Sequence, residues 1–425
     1  MRSDHTRPVS RPMQLVLLFV LIAVLGLIVA EITFQVTKID RAFTFVTVYS
    51  VLVVAYLASR FTLGLWYRPP IDCGYRPTVA VVVPAYNEGE SVERTIEACL
   101  AQDYPPELLQ VIVVDDGSTD DTWSRIARMA QANPTRVRVQ SLVGNQGKRA
   151  AMLHGARCTD SEIVVFVDSD SEPAPDGIAK IVQSFADRRV GAASGLTHAR
   201  NPDVNALTRM QAARYLLSFQ LLKAAESVVG AVTCCSGCFS AYRRSAIEPL
   251  LDEWSHQRFL GVACTYGDDR ALTNRVIRAG HRSLYHSGAV AVTDVPETWS
   301  TFFRQQLRWK KSWVREGPIL LSHLWRSRPL AFPFMVIAVV VGFLSPVIAV
   351  ASLVVAPSLW GQIPFVYAAG LVTVAIAYAV YHRSVVADGR WGWSMAATAF
   401  YLGFSFQILW AMVRVRDGRW GTRSA

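Results

Sequence analysis

Apolar runs at both ends of the chain constrain everything between them. Residues 13–36 are interrupted mainly by Glu31, and residues 43–65 form a second run. Each approaches or exceeds the roughly 20 residues a helix needs to cross about 30 Å of hydrocarbon. Arg2, Arg7 and Arg11 precede the first run, as in a signal peptide. However, the run is long, no small-residue cleavage site follows, and a second span comes at once. Both are expected to be retained anchors.

A basic N-terminus on the inner side then brings the chain back inside at residues 66–68. The middle of the chain is expected to be a cytoplasmic globular domain. Further apolar windows lie near residues 330–355, 363–381 and 391–413. The loop 356–364 is uncharged, as an outer loop should be, and the loop 382–390 is basic, as an inner loop should be. Three simple crossings would put Arg414, Arg416, Arg419 and Arg423 outside, against their charge. An inner tail is therefore expected, with Gly403 or Pro346 breaking one window into a hairpin or re-entrant segment.

The 425 residues carry a formal charge of +10. No dense basic run interleaved with aromatics and no helix-turn-helix or zinc-finger pattern points to nucleic acid. Juxtamembrane cations meeting anionic lipid and anionic substrates account for the charge. Between Phe302 and Arg328 the chain has Arg304, Arg308, Lys310, Lys311, Arg315, Arg326 and Arg328 against one acid, Glu316. The seven cysteines are an odd number and form no disulfide framework. Cys235 and Cys238 make one C-x-x-C, preceded by Cys234, without a second pair to complete a zinc site. Free thiols are expected.

From Thr78 the periodicity changes. Short β-branched runs at residues 79–83, 109–114 and 163–167, with weaker alternation at 137–140, alternate with helical stretches at 90–101, 120–132, 148–156 and 176–186. That order predicts an α/β domain, mostly parallel, with helices on both faces. Ligands bind such sheets beyond the carboxyl ends of the strands. Pro84-Ala85-Tyr86-Asn87-Glu88 follows the first strand, Asp115-Asp116-Gly117-Ser118 the second, and Asp168-Ser169-Asp170 a later one.

Asp and Ser after a strand also cap helices and form turns, so Asp116–Asp121 alone supports either role. Asp168 and Asp170 concentrate charge where Mg²⁺ or Mn²⁺ could bridge to a diphosphate. Gly144-Asn145-Gln146-Gly147-Lys148 lacks the spacing of a Walker A loop. Lys148 and Arg149 suit a phosphate or a helix surface equally. Tyr266-Gly267-Asp268-Asp269-Arg270 begins a predicted helix. Gln305-Gln306-Leu307-Arg308-Trp309 lies on an amphipathic stretch before the membrane, where snorkelling Arg and anchoring Trp are also expected.

In this order V-V-D-D-G-S, D-S-D, G-D-D and Q-Q-L-R-W, with flanking membrane helices, resemble the processive family 2 glycosyltransferases over roughly residues 78–317. Within that family the likeness is greatest to the hyaluronan synthases. It rests on Gly147-Lys148-Arg149, Cys235-Ser236-Gly237, Gly267 to Asn274, Thr293-Asp294-Val295-Pro296, Arg308 to Ser312 with Arg315-Glu316, and the terminal Trp420-Gly421-Thr422-Arg423. One departure is Cys238-Phe239 where those synthases usually have Pro, in a loop that faces the acceptor. Rhizobial chitin-oligosaccharide synthases share the wording Arg304-Gln305-Gln306-Leu307-Arg308-Trp309.

The resemblance implies a GT-A-like cytoplasmic domain at residues 76–298 between a basic N-terminus (1–12) with two transmembrane helices (13–66) and a C-terminal part. That part comprises amphipathic interface helices (299–328), a membrane region (329–413) and a basic tail (414–425). It implies residence in the plasma (inner) membrane. Asp269 would be the general base, with Asp268 beside it. Tyr86, Glu88, Asp115 and Asp116 would seat the uridine. Lys148, Arg149, Asp168, Gln305 and Arg308 would hold the donor diphosphate, and Asp168 and Asp170 a Mg²⁺ or Mn²⁺ ion. Trp309, Cys235, Ser236 and Gly237 would meet the acceptor.

The implied partners are UDP-sugars, the growing polysaccharide and lipid, with no nucleic acid and no obligatory protein partner. The implied product is hyaluronan, from UDP-GlcNAc and UDP-GlcA. UDP-GlcNAc alone would give chitin or chitin oligosaccharides. A single-transfer enzyme acting on a lipid phosphate would share D-x-D without needing Gln305, Arg308 and Trp309. A transporter with a nucleotide-sensing domain would be expected to show internal repeats, which are absent from the sequence.

Overall fold

The computed structural model describes Phe19 and residues 41–355, 357–358, 365–386 and 389–418. The span expected at residues 13–36 (Phe19 apart) and the Trp420–Arg423 string lie outside them.

The central domain is built on an eight-stranded sheet. In chain order the strands are β1 (Val79–Ala85), β2 (Leu109–Asp115), β3 (Val137–Ser141), β4 (Ile163–Phe166), β5 (Ser171–Pro173), β6 (Val190–Ala199), β7 (Ser240–Arg243), β8 (Arg258–Phe259), β9 (Val262–Ala263) and β10 (Arg282–Thr293). The spatial order is β3-β2-β1-β4-β7-β6-β10-β5, while β8 and β9 form a separate hairpin. β3, β2, β1 and β4 run parallel; β7 is antiparallel to both β4 and β6, and β10 is parallel to β6. The sheet is mostly parallel, as expected.

β1 shows why the middle of such a sheet reads as continuous hydrophobicity. Every one of its residues is buried, because helices cover both faces. Val79, Val81 and Val83 pack with Ile96, Ile126 and Ile181 on one side. Ala80 and Val82 pack with Met152, Leu272 and Val276 on the other. The helix Lys148–Arg157 approaches β1 so closely that a Cβ on Gly155 would stand 2.4 Å from Val82 Cγ1.

Among the described residues, three segments are long and apolar enough to cross a membrane: Val48–Trp66, Phe332–Val355 and Trp391–Val413. The helix Phe365–Val385 packs against Trp391–Gly403. Of the two expected breaks, Gly403 ends a helix, and a 3₁₀ turn at Phe404–Phe406 precedes Gln407–Val413. Pro346 stays inside its helix, and a π-turn at Ala351–Val355 follows.

The domain is embedded in these helices rather than tethered to them. Leu216, Leu217 and Leu221 pack with Leu57, Phe61 and Tyr378. A 29-residue interface helix, Trp299–Ser327, starts at the N-cap Thr298 and contains Pro318. The described end of the chain then returns to the domain. Tyr266 Oη donates to the Val415 carbonyl at 2.5 Å, Lys311 Nζ to that of Asp417 at 2.5 Å, and Thr265 Oγ1 to that of Gly418.

Candidate active site

The polar clusters converge at the carboxyl ends of β1, β2 and β4. The loops after β1 and β2 are stitched together: Ser118 Oγ accepts from Asn87 N–H at 3.0 Å, and Asn87 Oδ1 from Thr119 N–H at 2.8 Å. Glu88 N–H reaches Thr122 Oγ1 at 2.8 Å, and Glu88 Oε2 receives Ser91 Oγ at 3.1 Å. Gly117 makes this packing possible, since a Cβ there would lie 2.5 Å from the Gly144 backbone.

Asp115 and Asp116 are both buried. The Asp115 carboxylate accepts from Ser118 N–H and Ser141 Oγ, each at 3.3 Å. The two Asp116 oxygens accept from Gln146 N–H and Gly147 N–H, each at 2.8 Å. Asp116 thus shapes the loop that delivers Lys148. The turn-forming reading and the site reading of these aspartates are therefore not exclusive.

Lys148 Nζ forms an ion pair with Asp168 Oδ1. Burial works against its charge, but Asp168, with Asp268 and Asp269 farther off, holds its pKa above the ordinary lysine value. Asp168 N–H donates to Gly237 O at 3.2 Å. A Cβ on Gly237 would lie 3.1 Å from Asp168 Oδ1 and 3.3 Å from Lys148 Nζ. This glycine therefore keeps space open at the carboxylate. Asp170 Oδ1 accepts from Ser171 Oγ at 3.2 Å and Thr293 Oγ1 at 3.4 Å.

Among the described residues no group of three or more His, Cys, Asp or Glu could enclose a metal ion. Two carboxylates at one strand end fit Mg²⁺ or Mn²⁺ only if substrate oxygens and water complete the shell, which is how Mg²⁺ is commonly held. The donor set fits that use.

Asp268 and Asp269 open the helix Asp268–Arg278 behind Gly267, whose φ of 73° is left-handed. They point to different tasks. Asp268 is buried and accepts from Arg149 Nε at 2.7 Å; Arg149 also donates to Trp254 O at 2.8 Å and Gln257 Oε1 at 3.2 Å. The structure therefore brings Arg149 to Asp268 rather than to the Asp168 carboxylate. Asp269 is half-buried, and its Oδ1 accepts from Arg270 N–H at 2.7 Å. Burial acts to raise its carboxyl pKa. The Arg270 charge and backbone N–H, with Lys148 and Cys234, outweigh burial and hold it below the usual value.

The interface helix completes the site. Gln305 Oε1 is buried with no hydrogen-bond partner among the described residues. Trp309 is 40% exposed. Its ring centroid lies 6.4 Å from that of Tyr215. Tyr215 lies within electrostatic reach of Cys238, Asp170 and Arg308. It packs beside the interface helix at Trp309, a placement that no sequence motif signalled. Cys235 is buried with its N–H on Thr273 Oγ1 at 3.0 Å, and Ser236 O accepts from Phe239 N–H at 3.1 Å. All seven cysteines are free.

The interface helix and the helix Asp268–Arg278 share a buried polar network. Glu316 accepts from Arg315 Nε at 2.7 Å, Gln257 Nε2 at 2.8 Å and Asn274 Nδ2 at 3.0 Å. Arg315 Nη2 donates to Tyr266 O at 2.7 Å.

This geometry can be set beside known proteins. Residues 77–312 match the model of a glycosyltransferase like family 2. A hyaluronan synthase from Streptococcus pyogenes is 36% identical over 313 residues, 72% of this chain and 74% of that protein. An N-acetylglucosaminyltransferase from Azorhizobium caulinodans is 34% identical over 352 residues, 82% of this chain and 88% of that one. A mannosyltransferase from Pyrobaculum calidifontis, solved with GDP-Man and Mn²⁺, superposes with a TM-score of 0.61 at 24% identity, covering 87% of this chain and 99% of that one. The last likeness identifies the GT-A-like fold. Together with the segments long enough to cross a bilayer, these matches make the chain a membrane enzyme, and it belongs to glycosyltransferase family 2.

Proposed function

We propose that the chain polymerises sugars from UDP-sugar donors by inverting, processive transfer, that the product is hyaluronan made from UDP-GlcNAc and UDP-GlcA, and that the polymer leaves through the membrane helices. The observation that carries this reading is the Lys148–Asp168 ion pair at the end of β4, with Asp269 close enough to Lys148 to act on its charge. The hyaluronan synthase relative supports the choice of product.

Asp269 takes the proton from the acceptor hydroxyl as that oxygen attacks the anomeric carbon. The bond from that carbon to the UDP oxygen breaks on the opposite face, so an α-linked donor gives a β-linked product. Lys148 and Arg308 meet the charge that develops on the departing diphosphate. Tyr86, Glu88, Asp115 and Asp116 frame the uridine seat. Trp309 stacks on the acceptor pyranose, with Cys235, Ser236 and Gly237 lining the facing loop. Asp168 and Asp170 would hold Mg²⁺ or Mn²⁺, which when bound neutralises diphosphate charge. Arg2, Arg7 and Arg11 favour a cytoplasmic catalytic domain in the plasma membrane.

A chitin-type enzyme using UDP-GlcNAc alone is the second reading. It is favoured by the longer match to the Azorhizobium relative. Membranes containing the chain are to be supplied with radiolabelled UDP-GlcNAc and UDP-GlcA, singly and together. Long polymer only from the pair is expected. Polymer from UDP-GlcNAc alone would overturn the hyaluronan assignment, and addition of a single sugar would overturn processivity.

A further inference from the structure

Cys234 belongs to no motif used above, yet it touches the proposed base. Its Sγ lies 3.3 Å from Asp269 Oδ2, while Asp269 Oδ1 is taken by the Arg270 N–H. Each carboxylate oxygen therefore has one donor, which fixes the plane of the group. Burial and the nearby Asp269 carboxylate push the Cys234 pKa up, so the thiol keeps its proton and donates it.

The segment around Cys234 is itself anchored on two sides. Glu226 Oε2 accepts from Thr233 N–H at 3.0 Å and from Thr233 Oγ1 at 3.3 Å. Glu226 Oε1 lies 3.9 Å from Arg60 in the membrane helix. On the other side, Cys235 N–H meets Thr273 Oγ1, which donates to Asp269 O at 2.7 Å. The thiol is held at the carboxylate by backbone contacts and does not reach it by chance.

We propose that Cys234 is a positioning residue for the reaction: its thiol holds the Asp269 carboxylate in the orientation that receives the acceptor proton. This rests on Asp269 being the base. The choice of sulfur has a chemical reason. A thiol is a weak donor, so it orients the carboxylate while withdrawing little of its basicity. A hydroxyl or ammonium in its place would orient it too, but would hold the carboxyl pKa lower.

The test uses the full-length chain in lipid nanodiscs, with Cys234→Ala and Cys234→Ser. Removing a donor to the charged form raises the carboxyl pKa, and a stronger donor lowers it. The acid limb of the kcat–pH profile is expected to move to higher pH in the Ala variant and to lower pH in the Ser variant. In the Ala variant kcat is expected to fall roughly three- to tenfold, the range for one lost weak hydrogen bond, with KM for the UDP-sugar unchanged. The other ionisable groups around the carboxylate are Arg270, Lys148, Lys223, Cys235 and Tyr242. Both variants leave them in place.

Acid limbs that coincide in all three proteins would overturn the proposal. If the Ala variant fails to bind UDP and is misfolded, the Ser variant alone decides by the shift of its limb. Asp269→Asn is assayed in parallel. Polymer from that variant would overturn the base assignment itself. An inert Asp269→Asn beside unmoved Cys234 profiles would overturn only the thiol's role.

Discussion

Arg149 Nε donates to Asp268 Oδ1 at 2.7 Å, and the two side chains are only 6% and 5% exposed. Each has a site residue next to it in sequence, Lys148 on one helix and Asp269 on the other. The buried pair thus ties the helix that carries Lys148 to the helix that carries Asp269, and so fixes the separation of the proposed phosphate cation and the proposed base. Arg149→Met leaves Asp268 buried and unpaired. We expect a loss of about 3–5 kcal/mol of stability, the usual result of breaking a buried ion pair, read by chemical denaturation of the purified enzyme.

Asp269→Asn keeps the shape of the side chain and removes its ability to take a proton. Turnover should fall by roughly 10²–10⁴, the span attributed to general-base catalysis. Calorimetry should still detect UDP binding. Loss of that binding would reassign Asp269 to the donor seat. Chelation by EDTA should likewise stop polymer formation, with Mg²⁺ or Mn²⁺ restoring it; full activity in chelator would remove the metal from Asp168 and Asp170.

Gly267 is required twice over. Its φ is 73°, and a Cβ there would stand 2.1 Å from Ser312 Oγ on the interface helix. Gly267→Ala should abolish activity and lower the melting temperature. Adding Ser312→Gly removes the two closest contacts and leaves Arg315 Nη2 at 3.1 Å together with the cost of left-handed backbone, roughly 1–2 kcal/mol. Partial recovery in the double variant is the expected result. No recovery would mean that Gly267 acts through something other than its contact with the interface helix.

His286 on β10 gives a pH signature. Burial, helped by Lys180, holds its pKa down at about 4 against an ordinary 6.5. The folded state therefore prefers the neutral ring. That contribution is fully present above pH 6.5 and is lost as pH falls towards 4. His286→Gln should flatten the stability curve in this window relative to the wild type. Parallel curves would show that His286 is not the group responsible.

The parallel half of the sheet was legible because β1, β2 and β4 are buried on both faces and so read as unbroken Val and Ile. β6 was not, because Val190–Ala199 is largely Gly, Ala, Ser and Thr. Its place is decided by neighbours: a Cβ on Gly195 would stand 2.4 Å from the Phe239 ring. D-S-D and G-D-D were found because they lie at chain positions where strands end and helices begin. Tyr215 left no such mark, and Cys234, though it adjoins Cys235-Ser236-Gly237, gave no sign of its contact with Asp269; only the packing brings each to its place. Arg149 was read with Lys148 because adjacency in sequence hides the turn of the helix that sends the two side chains to different partners.

The carbonyls of Val415 and Gly418 accept from Tyr266 and Thr265, just ahead of Asp268-Asp269 in the chain, and that of Asp417 accepts from Lys311 on the interface helix. A segment held there shares a single aqueous compartment with the nucleotide site. We propose on that ground that, between the interface helix and residue 414, the chain traverses the bilayer an even number of times. At least one of its three apolar windows would then enter and leave by the same leaflet or lie along it, and the helix that ends at Gly403 before a 3₁₀ turn is the candidate. A fluorophore placed at residue 418 would report from the donor's side of the membrane.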